Sequence, residues 1–179
     1  MIPEQKLNDS LKNIRWLVLD VDGVLTDGKL YFDNSGNELK TFHTLDGHGI
    51  KMLQNSGVRV AIITGRRSNV VERRAHDLGI NKLIQGREDK FVALQELLSE
   101  ESCRLEDIAY IGDDYPDLLV MTKIGCPIAP PNAAPPVRER ALWITEACGG
   151  AGAVREVCDR IMIAQGTFDA ALAPYIGEK

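Results

Sequence analysis

The sequence lacks the features that mark membrane, secreted and nucleic-acid-binding proteins. No apolar run approaches the length of about 20 residues that crosses a bilayer. Residues 1–13 show no basic start followed by an apolar stretch, so we expect no secretory signal. The formal net charge of -5 gives no indication of binding to nucleic acid. These absences predict a cytoplasmic protein with neither a membrane nor a nucleic acid as partner.

Cysteine is also scarce, with four residues in a chain of 179. Cys103, Cys126, Cys148 and Cys158 form no Cys-x-x-Cys pair, so their spacing favours neither a zinc site nor a disulfide framework. Reduced thiols are the simpler interpretation. Internal repeats and low-complexity segments are missing as well. A chain of this length fits one domain, and we predict a single domain over residues 1–179.

What the sequence does contain is an alternation of strand and helix patterns. The continuous apolar run Trp16–Leu19 is typical of a strand buried on both faces of a parallel sheet. Further strands are predicted at residues 58–63, 82–84, 108–111, 124–128 and 142–144, and helices at 45–55, 68–78, 90–98, 115–121 and 152–164. Such alternation predicts an α/β fold with a parallel sheet and right-handed crossovers.

A β-hairpin is predicted after the first strand, over about residues 28–44. Segments 29–32 and 38–42 flank the turn-forming sequence 33–37, which contains Gly36. The hairpin carries the large apolar side chains of Tyr31, Phe32 and Phe42, and a lone hairpin is only marginally stable in water. We therefore expect it to pack against a partner subunit, or alternatively to fold back on its own domain. The C-terminal helix and tail occupy about residues 151–179.

Polar residues of catalytic character follow the predicted strands. In a parallel sheet the carboxyl ends of the strands share one edge, and ligands bind beyond that edge. Each short motif alone is more commonly a turn or a helix cap. Their coincidence at successive strand ends favours a catalytic site instead. The residues concerned are Asp20, Asp22, Thr64, Gly65, Arg66, Lys90, Asp113, Asp114 and Asp117.

Electrostatics predict a metal at this edge. Two carboxylates about 5 Å apart repel each other by roughly 3 kcal/mol at an effective dielectric constant near 20. Lys90 supplies one positive charge, which does not balance Asp20, Asp22, Asp113 and Asp114. The remaining negative charge indicates a divalent cation, and a donor set made only of oxygen favours Mg²⁺ over zinc.

The residue types suit the transfer of a phosphoryl group. Asp20, at the end of a rigid buried strand, is the candidate nucleophile that would form an aspartyl-phosphate. Asp22 lies where it could protonate the leaving oxygen and then activate water. The hydroxyl of Thr64, the backbone amides that follow it and the ammonium group of Lys90 could hold the phosphate. The sequence therefore predicts a phosphomonoesterase.

At these positions the chain resembles the capless branch of the haloacid dehalogenase superfamily. The resemblance implies a Rossmann-like, doubly wound parallel sheet with no cap domain. It also implies Mg²⁺ bound by Asp20, the backbone carbonyl of Asp22 and Asp113, with Asp114 and Asp117 assisting. The motifs that carry it are Asp20-Val21-Asp22-Gly23-Val24-Leu25-Thr26-Asp27, Thr64, Lys90 and Gly112-Asp113-Asp114-Tyr115-Pro116-Asp117.

Over nearly the whole chain the sequence is similar to one family of that branch, the phosphatases of 3-deoxy-D-manno-octulosonate 8-phosphate (Kdo 8-phosphate). The segments that carry this similarity are 46–51, 64–66, 73–75 and 149–158. The resemblance implies release of Kdo and phosphate in lipopolysaccharide synthesis, by a homotetramer in which a neighbouring subunit helps to close each site. It assigns substrate contacts to Asp22, His43, Thr44, Leu45, Asp46, Gly47, Lys51, Gly65, Arg66, Arg74 and Lys90.

Two departures weaken the substrate assignments. Many members of the family have arginine where this chain has Leu45, and often also where it has Lys51. Either change removes a guanidinium that could bind a carboxylate with two hydrogen bonds. Arg66 and Arg74 could equally lie on a solvated helix face, paired with Glu72 and Asp77.

Three alternatives remain. A signalling receiver domain shares the acidic pair, threonine and lysine, but it carries its acceptor aspartate after the third strand, whereas Asp113 and Asp114 come late here. A non-catalytic regulatory domain would not need the complete set of polar residues. The same chemistry could also act on the 9-phosphate of a nine-carbon keto-sugar acid.

Overall fold

A computed structural model describes residues 4–99, 101 and 103–177 of the chain. Its centre is a six-stranded sheet in the order β5-β4-β1-β6-β7-β8, and all strand pairs are parallel. The strands are β1 (Trp16–Leu19), β4 (Arg59–Thr64), β5 (Lys82–Gln85), β6 (Ile108–Ile111), β7 (Cys126–Ala129) and β8 (Trp143–Ile144). The predicted α/β fold with a Rossmann-like parallel sheet is confirmed.

Helices cover both faces of the sheet. They are α1 (Glu4–Lys12), α2 (Thr44–Asn55), α3 (Asn69–Leu78), α4 (Lys90–Ser99), α5 (Leu118–Met121), α6 (Pro135–Arg138), α7 (Ala153–Gln165) and α8 (Phe168–Ile176). Side chains alternate along β1, so that Leu17 and Leu19 pack with α1, α2, α3 and α7, while Trp16 and Val18 pack with α4, α5 and α6. Both faces of β1 are buried, which explains its uninterrupted apolar sequence.

Strand order creates a switch point beside β1. The chain runs from β1 to β4 and β5 on one side, and then crosses to β6, β7 and β8 on the other side. Leu19, the last residue of β1, is in register with Ile62 of β4 and with Ile111 of β6. The segments that follow these strands therefore emerge side by side, at the position where open α/β sheets bind ligands.

The hairpin is present but its strands are shorter than predicted. β2 (Tyr31–Phe32) and β3 (Glu38–Leu39) are antiparallel, and Tyr31 pairs with Leu39. Gly36 in the connecting turn has a positive φ of 82°. Phe42 packs against the core of its own domain, whereas Phe32 is 58% exposed. The alternative expectation, that the hairpin folds back on its own domain, therefore holds for Phe42.

Other elements differ from the sequence prediction in detail. The helix predicted over 115–121 divides into a 3₁₀ turn, Tyr115–Asp117, and the short helix α5. Helices α6 and α8 were not predicted, because α6 is one turn with prolines at its start and α8 contains Pro174. Among the described residues, no helix is both long enough and apolar enough to cross a membrane.

Candidate active site

The carboxyl ends of β1, β4 and β6 bring the predicted motifs to one edge. Asp20 follows β1, Thr64 is the last residue of β4, and Asp113 lies two residues beyond β6. Lys90, the first residue of α4, reaches the same place from the helix layer. Asp20, Thr64 and Lys90 are each no more than 5% exposed. The structure thus places all four residues at the same edge of the sheet.

Lys90 lies between two buried carboxylates. Its Nζ atom is 2.9 Å from Oδ1 of Asp20 and 2.6 Å from Oδ1 of Asp117. Burial lowers the pKa of Lys90, but the two carboxylates more than offset this effect and leave the pKa raised. The residue is therefore a fixed cation at neutral pH, directed at the candidate nucleophile.

Asp117 is more central than the sequence analysis suggested. The side chain has no exposed surface, and its Oδ1 also accepts a hydrogen bond of 2.5 Å from the hydroxyl of Tyr110. Its Oδ2 accepts hydrogen bonds from the backbone amides of Asp113 and Asp114, at 3.0 and 3.2 Å. A Cβ atom on Gly112 would lie 2.5 Å from the carboxyl carbon of Asp117. Asp117 thus fixes both Lys90 and the loop that carries Asp113.

Tyr110 was not identified as a site residue. It sits within the apolar run of β6 and resembles any other core residue in the sequence. Its hydroxyl is enclosed, and burial together with the nearby carboxylate of Asp117 raises its pKa well above the usual value. A tyrosine among small and branched residues on a central strand was the only available signal.

The three carboxylates of Asp20, Asp113 and Asp117 form a cluster suited to a divalent cation. One oxygen from each lies within 4.8 Å of the others. Oδ1 of Asp113 is buried and has no hydrogen-bond partner among the residues that the structure describes. Burial, followed by the neighbouring carboxylates, raises the pKa of Asp113, and burial raises that of Asp20. A donor set made of hard oxygen atoms with excess negative charge fits Mg²⁺.

Asp22 does not join this cluster. Its carboxylate instead forms an ion pair with Lys40, the residue after β3, whose side chain is only 2% exposed. Lys40 in turn lies 3.5 Å from Oε1 of Glu38. Neither Lys40 nor Glu38 was predicted as a site residue. Their spacing of two residues on a predicted strand, which puts both side chains on one face, was the overlooked signal.

Asp114 is exposed and does not join the carboxylate cluster, although its sequence position next to Asp113 suggested that it would. Its side chain accepts from the backbone of the 3₁₀ turn, and Asp117 reciprocates in a capping box. The backbone geometry of this turn separates the two neighbouring aspartates. Asp113 enters the site while Asp114 caps the turn.

Arg66 and Arg74 do not form a solvated row. Nη2 of Arg66 is 2.5 Å from Oε1 of Glu38 on the hairpin. Nη2 of Arg74 donates to the backbone carbonyl of His43 at 3.4 Å, and its guanidinium lies over the ring of Phe42. Within the described part of the chain, neither arginine forms the ion pair with Glu72 or Asp77 that the alternative interpretation expected. Asp77 pairs with Arg73 instead, at 3.1 Å.

The segment 43–47 divides into accessible and buried parts. His43 caps α2, accepting from the amide of Leu45 at 3.3 Å, and Leu45 is exposed, as are Thr44 and Lys51. Asp46, in contrast, is 1% exposed and accepts a hydrogen bond of 2.8 Å from the amide of Arg155. Gly47 is buried too, and a Cβ there would lie 2.2 Å from Nη2 of Arg74.

Asp46 therefore stabilises the N-terminus of α7, where carboxylates are favourable. Burial raises its pKa, with the hydrogen bonds from the start of α7 acting in the opposite direction. The resemblance suggested a substrate contact for Asp46, and the structure shows this residue buried and hydrogen-bonded to the start of α7. This packing of α2 on α7 could not be inferred from local spacing, because 109 residues separate the hydrogen-bonded partners.

Asn132 supports the loop that follows β1. Its side-chain amide donates to the carbonyl of Gly23 at 3.1 Å and accepts from the amide of Gly149 at 2.8 Å. A Cβ atom on Gly149 would lie 1.7 Å from that same carbonyl. Gly23 has a positive φ of 89°, and a Cβ there would strike Oδ2 of Asp113. Close approach of the backbone explains Gly149, and the positive φ with the nearby Asp113 side chain explains Gly23.

Comparisons with known proteins agree with this geometry. Residues 79–155 match the sequence model of the haloacid dehalogenase-like hydrolases. The 3-deoxy-D-manno-octulosonate 8-phosphate phosphatase of Yersinia pestis is 50% identical over 159 residues, which cover 89% of this chain and 85% of the relative.

Two solved structures share the whole fold. A probable phosphatase of the YrbI family from Pseudomonas syringae pv. phaseolica has a TM-score of 0.95 and 55% identity, covering 97% of this chain and 98% of its own. The Moraxella catarrhalis 3-deoxy-D-manno-octulosonate 8-phosphate phosphatase, solved with magnesium, phosphate and Kdo, has a TM-score of 0.95 and 43% identity, covering 97% and 99%. This chain therefore belongs to the 3-deoxy-D-manno-octulosonate 8-phosphate phosphatase family of haloacid dehalogenase-like hydrolases.

Proposed function

We propose that the protein is a magnesium-dependent phosphatase that hydrolyses Kdo 8-phosphate to Kdo and phosphate, in lipopolysaccharide synthesis. The observation that carries the proposal is the convergence of Asp20, Asp113 and Asp117 within 4.8 Å, beside the buried ammonium group of Lys90. Such an arrangement has little purpose in a structural core, because it concentrates buried negative charge.

Mg²⁺ would be held by Asp20, Asp113 and the backbone carbonyl of Asp22. The unpartnered Oδ1 of Asp113 and the raised pKa of that carboxyl both fit a site that a cation completes. When bound, the ion neutralises charge on the phosphoryl group and on the cluster. Asp117, already saturated by four donors, would hold Lys90 and the 113–114 loop in place.

In the first step a carboxylate oxygen of Asp20 attacks phosphorus. A bond forms between that oxygen and phosphorus while the bond from phosphorus to the sugar oxygen breaks. Asp22, in its acid form, gives its proton to the departing sugar oxygen. Lys90 would stabilise charge on the transferring group, and the hydroxyl of Thr64 with the amides of Gly65 and Arg66 would bind the phosphate oxygens.

In the second step water attacks phosphorus and releases Asp20. Asp22, now a carboxylate, accepts a proton from the water as the new bond from oxygen to phosphorus forms. The bond from phosphorus to the oxygen of Asp20 breaks, which regenerates the free carboxylate. Proton and phosphoryl group are therefore balanced over the two steps, and Asp22 returns to its acid form.

Family membership supports the choice of sugar. The bound Kdo in the Moraxella catarrhalis structure supports a sugar acid rather than a neutral sugar. On this chain Arg66 and Arg74 offer cationic contacts near the hairpin, and His43, Thr44, Leu45 and Lys51 lie at the accessible side of α2. A nine-carbon keto-sugar acid 9-phosphate is the alternative with the same reacting group.

The proposal includes a cytoplasmic homotetramer. Three large side chains of the hairpin, Leu30, Phe32 and Leu39, are 53–59% exposed, and a second subunit would bury them. Free thiols at all four cysteines are consistent with a reducing compartment. Size-exclusion chromatography with light scattering, before and after Phe32→Ser, tests the assembly.

The test of function is phosphate release from a panel of phosphate esters in the presence of Mg²⁺. Kdo 8-phosphate should give the highest kcat/KM, above the nine-carbon 9-phosphate, neutral sugar phosphates and p-nitrophenyl phosphate. A preference for the nine-carbon ester would replace the proposed substrate but keep the chemistry. Absence of turnover on every ester would favour a regulatory domain.

A further inference from the structure

We infer that Lys40 is a positioning residue for catalysis, holding the Asp22 carboxyl so that its second oxygen faces the leaving group, and that Glu38 couples this arrangement to Arg66. The inference rests on the proposed role of Asp22 as the acid and base of the reaction. It adds a function for the hairpin within its own subunit, where the second strand supports the chemistry.

The hairpin presents these residues by strand alternation. Successive side chains of a strand point to opposite faces, so Glu38 and Lys40 share one face and Leu39 occupies the other. Leu39 is 59% exposed, whereas the Lys40 side chain is 2% exposed. The face that carries Glu38 and Lys40 is therefore the one applied to the active site.

Four side chains of alternating charge connect Asp22, the proposed acid, to Arg66, a proposed contact of the sugar acid. Asp22 pairs with Lys40, and Lys40 lies 3.5 Å from Oε1 of Glu38. The same oxygen of Glu38 lies 2.5 Å from Nη2 of Arg66. One carboxylate thus serves two cations, and the order along the chain of contacts is Asp22, Lys40, Glu38, Arg66.

Burial of the Lys40 side chain requires that its charge be paired within the protein. An ammonium group with almost no access to water needs carboxylate partners, since an unpaired buried charge is strongly unfavourable. The partners of Lys40 are Asp22 and Glu38, with side chains 23% and 17% exposed. Asp22 is therefore anchored by a cation with little access to solvent, and Glu38 keeps that cation paired in the step in which Asp22 carries its proton.

The contact also selects which oxygen of Asp22 does the chemistry. Lys40 donates to Oδ1 of Asp22. The proton that passes to and from the substrate therefore falls to Oδ2. Fixing the acid in this way matters most when the leaving oxygen is a poor leaving group, as in a sugar or another alkyl ester. A nitrophenolate departs with little assistance.

This difference supplies the test. Values of kcat/KM, which report the steps up to release of the alcohol, are measured for p-nitrophenyl phosphate, a small alkyl phosphate such as glycerol phosphate, and Kdo 8-phosphate. Lys40→Met should lose about 10- to 100-fold on both alkyl esters, which is part of the roughly 100- to 10,000-fold that general-acid catalysis contributes, and far less on p-nitrophenyl phosphate. Lys40→Arg, which retains the charge, should recover part of the loss.

Controls separate positioning from folding and from binding. Lys123→Met, at an exposed position outside the site, should leave all three values unchanged. Lys40→Met should cause no further selective loss when Asp22 is already asparagine. If Lys40→Met fails to fold, Lys40→Gln, which is shorter and keeps a polar end, carries the same expectation.

Two outcomes would overturn the inference. An equal loss on all three esters would mean that Lys40 serves structure alone, and a loss confined to Kdo 8-phosphate would make it a substrate contact. If the proposed function itself is wrong, the result differs. The loss of kcat/KM caused by Asp22→Asn would then be the same for esters with good and poor leaving groups. Because two of the esters are generic, the test also stands if the natural sugar is another one.

Discussion

Nζ of Lys90 lies 2.6 Å from Oδ1 of Asp117, and the two side chains are 4% and 0% exposed. This buried pair links the helix layer to the loop after β6, because the other oxygen of Asp117 binds the amides of Asp113 and Asp114. The same Nζ atom of Lys90 also contacts Oδ1 of Asp20. The surroundings of Asp20, the proposed nucleophile, therefore depend on Asp117 through its contacts with Lys90 and the 113–114 loop.

Removal of Asp117 should damage both stability and activity. Asp117→Ala leaves the buried ammonium of Lys90 and the hydroxyl of Tyr110 without a common partner, and we expect a loss of about 3–5 kcal/mol in the free energy of unfolding. Tyr110→Phe should cost less, about 1.5–3 kcal/mol, since it deletes one hydrogen bond to a charged group. Urea unfolding measures both. Similar losses for the two variants would contradict the central position given to Asp117.

Magnesium should stabilise the protein through Asp113. At a concentration of 100 times Kd the ion is expected to add about 2.7 kcal/mol, visible as a rise in Tm, and EDTA should remove both this gain and the activity. Asp113→Asn should abolish the magnesium-dependent rise in Tm. It should also raise the metal-free Tm, because a buried carboxylate beside Asp20 and Asp117 is no longer required.

The exposed Asp9→Asn on α1 is the matched control, and it should keep the full response to magnesium. Retention of the response by Asp113→Asn would exclude Asp113 as a ligand. Loss of the response in both variants would point to a general effect of net charge.

Asp46 should prove structural when stability is followed against pH. Burial raises its pKa in the folded state, so the folded state binds this proton more tightly than the unfolded state. The protonated Asp46 side chain contributes its whole stabilisation below about pH 4, the pKa of an aspartate in the unfolded chain. This contribution is lost as the pH rises through the higher pKa of Asp46 in the folded protein. Asp46→Asn keeps an acceptor for the amide of Arg155 and does not titrate. Its stability relative to wild type should therefore increase over that interval.

Urea unfolding between pH 4 and pH 8 tests this expectation, with Asp46→Ala as the variant that loses the acceptor. Asp46→Ala should be less stable than Asp46→Asn at every pH by about 1 kcal/mol, the usual worth of a helix cap. A large rise in KM for Kdo 8-phosphate in Asp46→Asn, without a change in stability, would restore the substrate contact suggested by the sequence.

Arg66 should act on the sugar acid more than on the phosphate. A hydrogen bond to a charged group contributes about 1.5–3 kcal/mol, so Arg66→Ala should lower kcat/KM for Kdo 8-phosphate by roughly 10- to 100-fold. The loss on p-nitrophenyl phosphate should be much smaller. Arg73→Ala, whose side chain is 80% exposed and paired with Asp77, is the control. Equal losses on both esters would assign Arg66 to phosphate binding or structure.

The sequence was sufficient for the parts of the site that depend on strand ends. Asp20, Thr64 and Asp113 follow strands whose apolar runs are easily recognised, and parallel pairing then brings them together without further information. Lys90 was found for the same reason, as the first residue of a helix on the adjoining face. These positions are determined by topology, which hydrophobic patterning predicts well.

The positions of the other site residues depend on tertiary packing, which no local sequence pattern indicates. Asp114 and Asp117 differ by three positions, and only the 3₁₀ turn decides that Asp117 points inward. Asp46 was assigned to substrate by the family resemblance, and no local pattern showed that it would accept a hydrogen bond from the start of α7. Lys40 could have been paired with Asp22 only by knowing where the hairpin folds back, 18 residues along the chain.

The most direct test of the central claim follows the phosphoryl group onto the protein. Kdo 8-phosphate labelled with ³²P is mixed with excess enzyme and magnesium, quenched in acid after milliseconds, and the labelled peptide is sequenced. We expect transient label on Asp20, and none in Asp20→Asn, which should fold normally yet turn over no ester. Label on another residue, or near-normal turnover by folded Asp20→Asn, would contradict the account.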